Sequence, residues 1–106
     1  MYHPACARGF KEGSLAIRDF CSYKVAIGKE RRYSLILRGE LDHFAVFAVP
    51  RRKTVFDIEK RDIDEYLLLF RNKEDGARVA SRKLSMLRGF YGWLLLNKRI
   101  SRDPLA

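Results

Sequence analysis

The sequence predicts an all-α fold, a compact four-helix bundle. Three observations carry that reading. Apolar residues recur at helical spacing in four separate segments. Breakers fall between the segments at Gly28, at Pro50 and in the run Lys73 to Gly76. No stretch of useful length alternates polar and apolar residues as a half-buried strand does. Hydrophobic residues make up 47% of the 106-residue chain, enough for one modest core and one domain.

Residues 1–13 hold His3, Pro4, Gly9 and Gly13 without any period and read as a loose leader. The first helix is expected from Ser14, a residue suited to an N-cap. Ile17, Phe20, Cys21 and Ile27 lie on one side of it, Arg18, Ser22 and Val25 on the other, and Gly28 ends it. After the basic turn GKERR, a second helix over YSLILRGELDHFAVFAV collects Tyr33, Ile36, Leu37, Leu41, Phe44, Phe47 and Ala48 on one face. Pro50 stops it, since proline removes an amide and clashes with the preceding turn.

The loop PRRKTVFDI is basic, and its Val55, Phe56 and Ile58 are apolar enough to plug the end of a helical core. A third helix follows in EKRDIDEYLLLFRN, where Ile63, Tyr66, Leu67 and Phe70 keep the i, i+3, i+4, i+7 spacing and acids crowd the first turn, as the helix dipole favours. Asp75 is placed to cap a fourth helix from about Gly76 to Lys98.

Charge points outward from this bundle. Lys and Arg number 22 against 13 Asp and Glu, a formal charge of +9, which favours an acidic partner. Nucleic acid is the commonest for a small basic domain, because each neutralised phosphate releases counterions. Cys6 and Cys21 have neither knuckle spacing nor the density of a disulfide scaffold, so both read as free thiols of a reducing, cytoplasmic compartment. No apolar run reaches membrane-spanning length and the start has no signal-peptide core, so no membrane partner is expected.

The fourth helix carries the sharpest signal. Val79, Ala80, Leu84, Met86, Leu87, Phe90, Tyr91, Trp93, Leu94 and Leu95 fill a broad apolar arc, with Arg78, Arg82, Ser85, Gly89 and Gly92 opposite and Ser81 and Arg88 flanking that strip. From Gly76 to Arg102 seven basic residues occur and no acidic one, whereas a merely solvated face mixes both signs. Arginine forks onto phosphate or guanine, and glycine permits close approach. Lys29, Arg31 and Arg32 at the start of the second helix, with Arg38 on its polar face, give a weaker version, diluted by Glu30, Glu40 and Asp42. Arg51, Arg52 and Lys53 read as ordinary solubilising charge.

LSMLRGFYGWLLLNKRISRDPLA, residues 84–106, resembles the closing helix and linker of the core-binding domain of tyrosine recombinases of the phage-integrase and Xer type. Leu84, Ser85, Leu87, Arg88, Phe90, Tyr91, Trp93 and Leu94 match that family's pattern in order, and Asp103-Pro104 stands for its Asn-Pro. FDIEKRDIDEYL is similar to the entry into the family's third helix, and Leu41, Phe44 and Phe47 fit its second. The sequence departs where the family often has threonine and tyrosine in helix 2. Tyr33 and Leu37 stand there, or Ser34 supplies the cap after a one-residue slip. Val79 replaces the usual Thr or Ser near the start of helix 4.

The resemblance implies a SAM-like core-binding domain over residues 14–102, one half of a clamp on duplex DNA, with helices 2 and 4 facing the major groove. Its implied contacts are Arg78, Ser81, Arg82, Lys83, Ser85 and Arg88 from helix 4 and Arg31, Arg32, Ser34 and Arg38 from helix 2, Lys83 contributing only if its stem snorkels outward. Residues 103–106 would begin a linker to a C-terminal catalytic domain of the same parent chain, which supplies the nucleophilic tyrosine. Other recombinase protomers on the DNA are the further partners. The chain itself is then no enzyme and needs no cofactor.

Two other readings compete: a SAM-like protein-interaction module, and a helix-turn-helix regulator built on helices 3 and 4. No metal site is expected, because His3 and His43 lack any ligand spacing and Asp62, Asp64 and Glu65 suit a helix first turn. None of the five tyrosines has the setting of a nucleophile.

Overall fold

Periodicity and breakers translate into four α-helices in the computed structural model, which describes the backbone of residues 4–106 and the side chains from Gly9 onward. They are α1 (Pro4–Ala26), α2 (Arg31–Ala48), α3 (Lys60–Arg71) and α4 (Gly76–Leu96), with a short 3-10 turn at Val49–Arg51 and no strand among the described residues. The fold is all-α, as the sequence predicts. The chain divides after Asp57 into two compact units, α1 with α2 and the loop that follows, and α3 with α4.

In the first unit α1 begins ten residues before Ser14, so the loose-leader expectation is corrected from Pro4 onward; residues 1–3 lie outside the described residues. Proline is tolerated in a first helical turn, where its missing amide would have had no partner. Gly9 and Gly13 continue the inward face later formed by Ala16, Ile17, Phe20 and Cys21, all four buried. A Cβ on Gly9 would stand 2.5 Å from the Thr54 methyl, and one on Gly13 would stand 2.9 Å from a Val55 methyl. The glycines are therefore part of the period, made small so that residues 54–55 can lie against α1. Ile27, expected on this face, is exposed, because the helix has already ended. The Gly28 amide reaches the Val25 carbonyl and the Lys29 amide the Lys24 carbonyl, each at 3.0 Å, with Gly28 at φ 105°. That is a Schellman stop, as Gly28 suggests in the sequence.

α2 buries Leu37, Leu41, Phe44, Ala45 and Ala48, a narrower stripe than expected. Tyr33 and Ile36 face outward, Ile36 at 56% exposure, and Phe47 is half-buried. Pro50 sits inside the 3-10 turn, after which Arg52 takes a left-handed conformation (φ 58°). The next loop is tied by Thr54 and Asp57. The Thr54 amide donates to Asp57 Oδ1 at 2.6 Å, and the Asp57 amide donates back to the Thr54 carbonyl at 3.2 Å. This closed turn directs Val55 inward, where it is 1% exposed.

In the second unit Asp62 returns to the start of α3, accepting the Glu59 amide at 2.9 Å, so the first-turn acid acts as a capping residue and is buried while doing so. Ile63 and Tyr66 are buried, with Leu67 and Phe70 half-buried. Asp75 does occupy the N-cap of α4, but in a left-handed conformation (φ 58°) and without a side-chain cap bond. The following Gly76 is buried, and a Cβ there would run into the carbonyl oxygens of Phe70 and Arg71. Only glycine lets α4 start so close to the end of α3. α4 closes in another Schellman arrangement, Arg99 amide to Leu94 carbonyl at 2.9 Å and Lys98 amide to Leu95 carbonyl at 3.0 Å, with Lys98 rather than glycine at φ 58°. Beyond it, Asp103 Oδ1 accepts the Leu105 amide at 2.8 Å, a turn around Pro104.

Candidate nucleic-acid interface

The 3.6-residue period of α4 sorts its side chains into two strips. Ala80, Lys83, Leu87, Phe90, Tyr91 and Leu94 are buried. Arg78, Ser81, Arg82, Ser85, Arg88 and Gly89 are exposed, and Gly92 is half-exposed. The arginines, the serines, Gly89 and Gly92 of this helix therefore share its outer side. Arg78 Nη2 lies 3.6 Å from Asp75, but both side chains are well exposed, and such a pair contributes little against water. Leu95, expected in the apolar arc, is exposed, while Trp93 is half-buried under the Arg99 guanidinium, 5.1 Å from its ring centre.

Lys83 is the correction on this helix. It is 7% exposed and its ammonium sits 4.5 Å from the centre of the Phe70 ring, so its stem does not carry it outward to a phosphate. The electron-rich ring faces offset part of the cost of burying the charge. The signal was present in the spacing: Lys83 is three residues after Ala80 and four before Leu87, squarely on the inward stripe.

On α2 the candidates separate in the same way. Arg31 and Arg32 occupy the exposed first turn, behind an extended Glu30 whose side chain makes no cap bond. Unsatisfied first-turn amides and two guanidinium groups make this end electropositive. Arg38 is also exposed, 3.9 Å from Asp42. Ser34 is neither the cap nor a surface contact: it is 9% exposed and its hydroxyl donates to the Cys21 carbonyl at 3.2 Å. The N-cap falls at Glu30 because α2 starts two residues before Tyr33, which turns Ser34 into the helix's first buried position.

Arg38 and Asp42 both act electrostatically on the buried Cys21 thiol. Burial pushes the Cys21 thiol above its ordinary value of 9.0, and the Asp42 carboxylate pushes the same way, while Arg38 and the Ser34 hydroxyl pull it down. Asp42 itself is raised by partial burial, with Arg38 opposing. Beside them a groove of about 330 Å³ runs between α1 and α2, lined by Arg18, Cys21, Ser22, Val25, Arg31, Ser34, Leu35 and Arg38. Arg18 and Ser22 were read from the sequence only as the polar side of the first helix; their joint placement with Arg31 and Arg38 needed the fold.

Two mid-helix glycines have no internal reason to be small. Added Cβ atoms on Gly39 and Gly92 would meet nothing within 4 Å. Each nevertheless costs its helix about 1 kcal/mol relative to alanine.

A tyrosine recombinase, XerD of Shewanella oneidensis, is 39% identical to this chain over 70 residues, which are 65% of this chain and 23% of that protein. Part of this chain is thus related to part of a tyrosine recombinase, and the match spans less than a quarter of that relative's length. No family model and no solved structure matches the chain.

The remaining chemistry is sparse. Among the described residues no three His, Cys, Asp or Glu side chains gather as a metal site, and no helix is long and apolar enough to cross a membrane. Tyr66 and Tyr91 are buried, as their apolar arcs suggest, and His43 is exposed. Cys21 is a free thiol. Tyr2 and His3 lie outside the described residues, as does the side chain of Cys6.

Proposed function

We propose that this chain is a duplex-DNA-binding core-binding domain of a site-specific tyrosine recombinase. The observation that carries the reading is the outer strip of α4, where Arg78, Arg82, Ser85 and Arg88 are exposed on a helix without a single acid, while Leu87, Phe90, Tyr91 and Leu94 anchor its other side. The relation to XerD supports the recombinase part of this reading. In this reading the arginines hold backbone phosphates and fix register, and Ser81, Arg82 or Ser85 meets base edges in the major groove. The first turn of α2, with Arg31, Arg32 and Arg38, grips phosphate independently. Gly39 and Gly92 let a DNA backbone approach each helix closely. Phosphodiester chemistry belongs to a separate catalytic domain of the parent protein.

Titration of duplex DNA at several salt concentrations tests this. The log–log slope should be clearly negative, and Arg82→Ala should flatten it by about one unit. A flat slope for the unaltered chain would remove the phosphate-contact model. A protein-interaction module is the second reading, favoured by Leu96 standing 84% exposed at the end of α4. Self-association with no response to DNA would select it.

A further inference from the structure

The groove between α1 and α2 contains more cation than its surroundings neutralise. Arg18 comes from the outer side of α1, Arg31 from the first turn of α2 and Arg38 from two turns further on, and all three line one concavity. Among the described residues, the one carboxylate meeting any of the three is Asp42, at a loose 3.9 Å from Arg38. Three arginines thus line a space ample for a phosphate group, and no carboxylate is among the residues that line it. The exposed Ser22 side chain adds a neutral hydroxyl on the same wall, and Arg31 belongs to the first turn of α2, which has no side-chain cap. Arginine's planar fork suits a tetrahedral oxyanion from several directions at once.

We propose that Arg18, Arg31 and Arg38 form a clamp for a single backbone phosphate of duplex DNA, so that α1 contributes to the grip along with α2. The inference rests on the DNA-binding reading above, and it adds a residue, Arg18, to which the closing helix gives no clue. One phosphate held from two helices fixes the α1–α2 pair on the backbone more rigidly than the α2 terminus alone, because a clamped phosphate cannot slide along a single helix end.

The test uses the full chain and a short duplex. Arg18→Gln should flatten the salt slope by about one unit, as one lost phosphate contact requires, with an unchanged melting temperature because the side chain is exposed. Arg18→Lys should keep the slope, since the charge remains, and bind more weakly through loss of the fork. The Arg18 side-chain Nε–H resonance should shift on adding duplex, and at far lower concentration than on adding inorganic phosphate at matched ionic strength. If Arg18→Gln binds with an unchanged slope while Arg82→Ala flattens it, the clamp is wrong and the DNA reading stands. An Arg18 resonance that does not move on adding duplex also overturns the clamp. If the unaltered chain has no salt-dependent binding, both fall together.

Discussion

The Lys83 ammonium and the Phe70 ring are stacked 4.5 Å apart inside the second unit, next in sequence to Arg82, whose side chain is exposed. Two adjacent basic residues therefore have opposite roles. Lys83→Ala should lower stability by about 1–2 kcal/mol, the scale of a desolvated cation–π contact plus lost packing, in urea unfolding. The same variant should leave the salt dependence of DNA binding untouched. A flattened slope would return Lys83 to the DNA-facing side.

Gly92 separates folding from binding. Nothing in the protein fills the space a Cβ would take, so Gly92→Ala should stabilise α4 by about 1 kcal/mol. If a DNA backbone passes close to this position, affinity should fall although stability rises. Equal affinity in filter binding would mean that the glycine marks no close approach.

Lys98 ends α4 in a left-handed conformation that costs a residue with a Cβ more than glycine. Lys98→Gly should raise stability by about 0.5–1 kcal/mol, less than the full steric relief because glycine also loosens the unfolded chain. Thermal unfolding reads this directly, and a lower melting temperature would contradict the left-handed geometry.

Cys21 gives the first unit a pH dependence. Its thiol is held above 9.0 by burial, so on raising the pH the unfolded chain ionises first. The stability contribution is complete below that value and is lost as pH rises toward the higher folded value. Urea unfolding between about pH 8 and about pH 10 should therefore steepen its decline in the unaltered chain relative to Cys21→Ala. Parallel declines would mean that the thiol ionises as easily folded as unfolded.

These cases also mark what the sequence could convey. Gly28 and Pro50 are local punctuation, and the structure obeys both, because a left-handed stop and a missing amide need no distant partner. The four helices and the exposed arginines of α4 were legible for the same reason, from period alone. Gly9 and Gly13 were not, since their smallness answers to Thr54 and Val55, some forty residues away. Ser34 looked like a cap until the helix began earlier and its hydroxyl met Cys21. Asp75 was found at its cap position but turns its carboxylate toward Arg78. The Arg18 groove required two helices to be brought together, which no periodicity encodes.

The same two glycines decide where the chain can be shortened. A fragment begun at Ser14, where composition alone would start the first helix, would lack the surface at Gly9 and Gly13 on which the Thr54–Asp57 turn rests. Val55 would then be uncovered on one side, and the helical turn from Gly9 to Gly13 is better regarded as the floor beneath that loop than as an expendable tail.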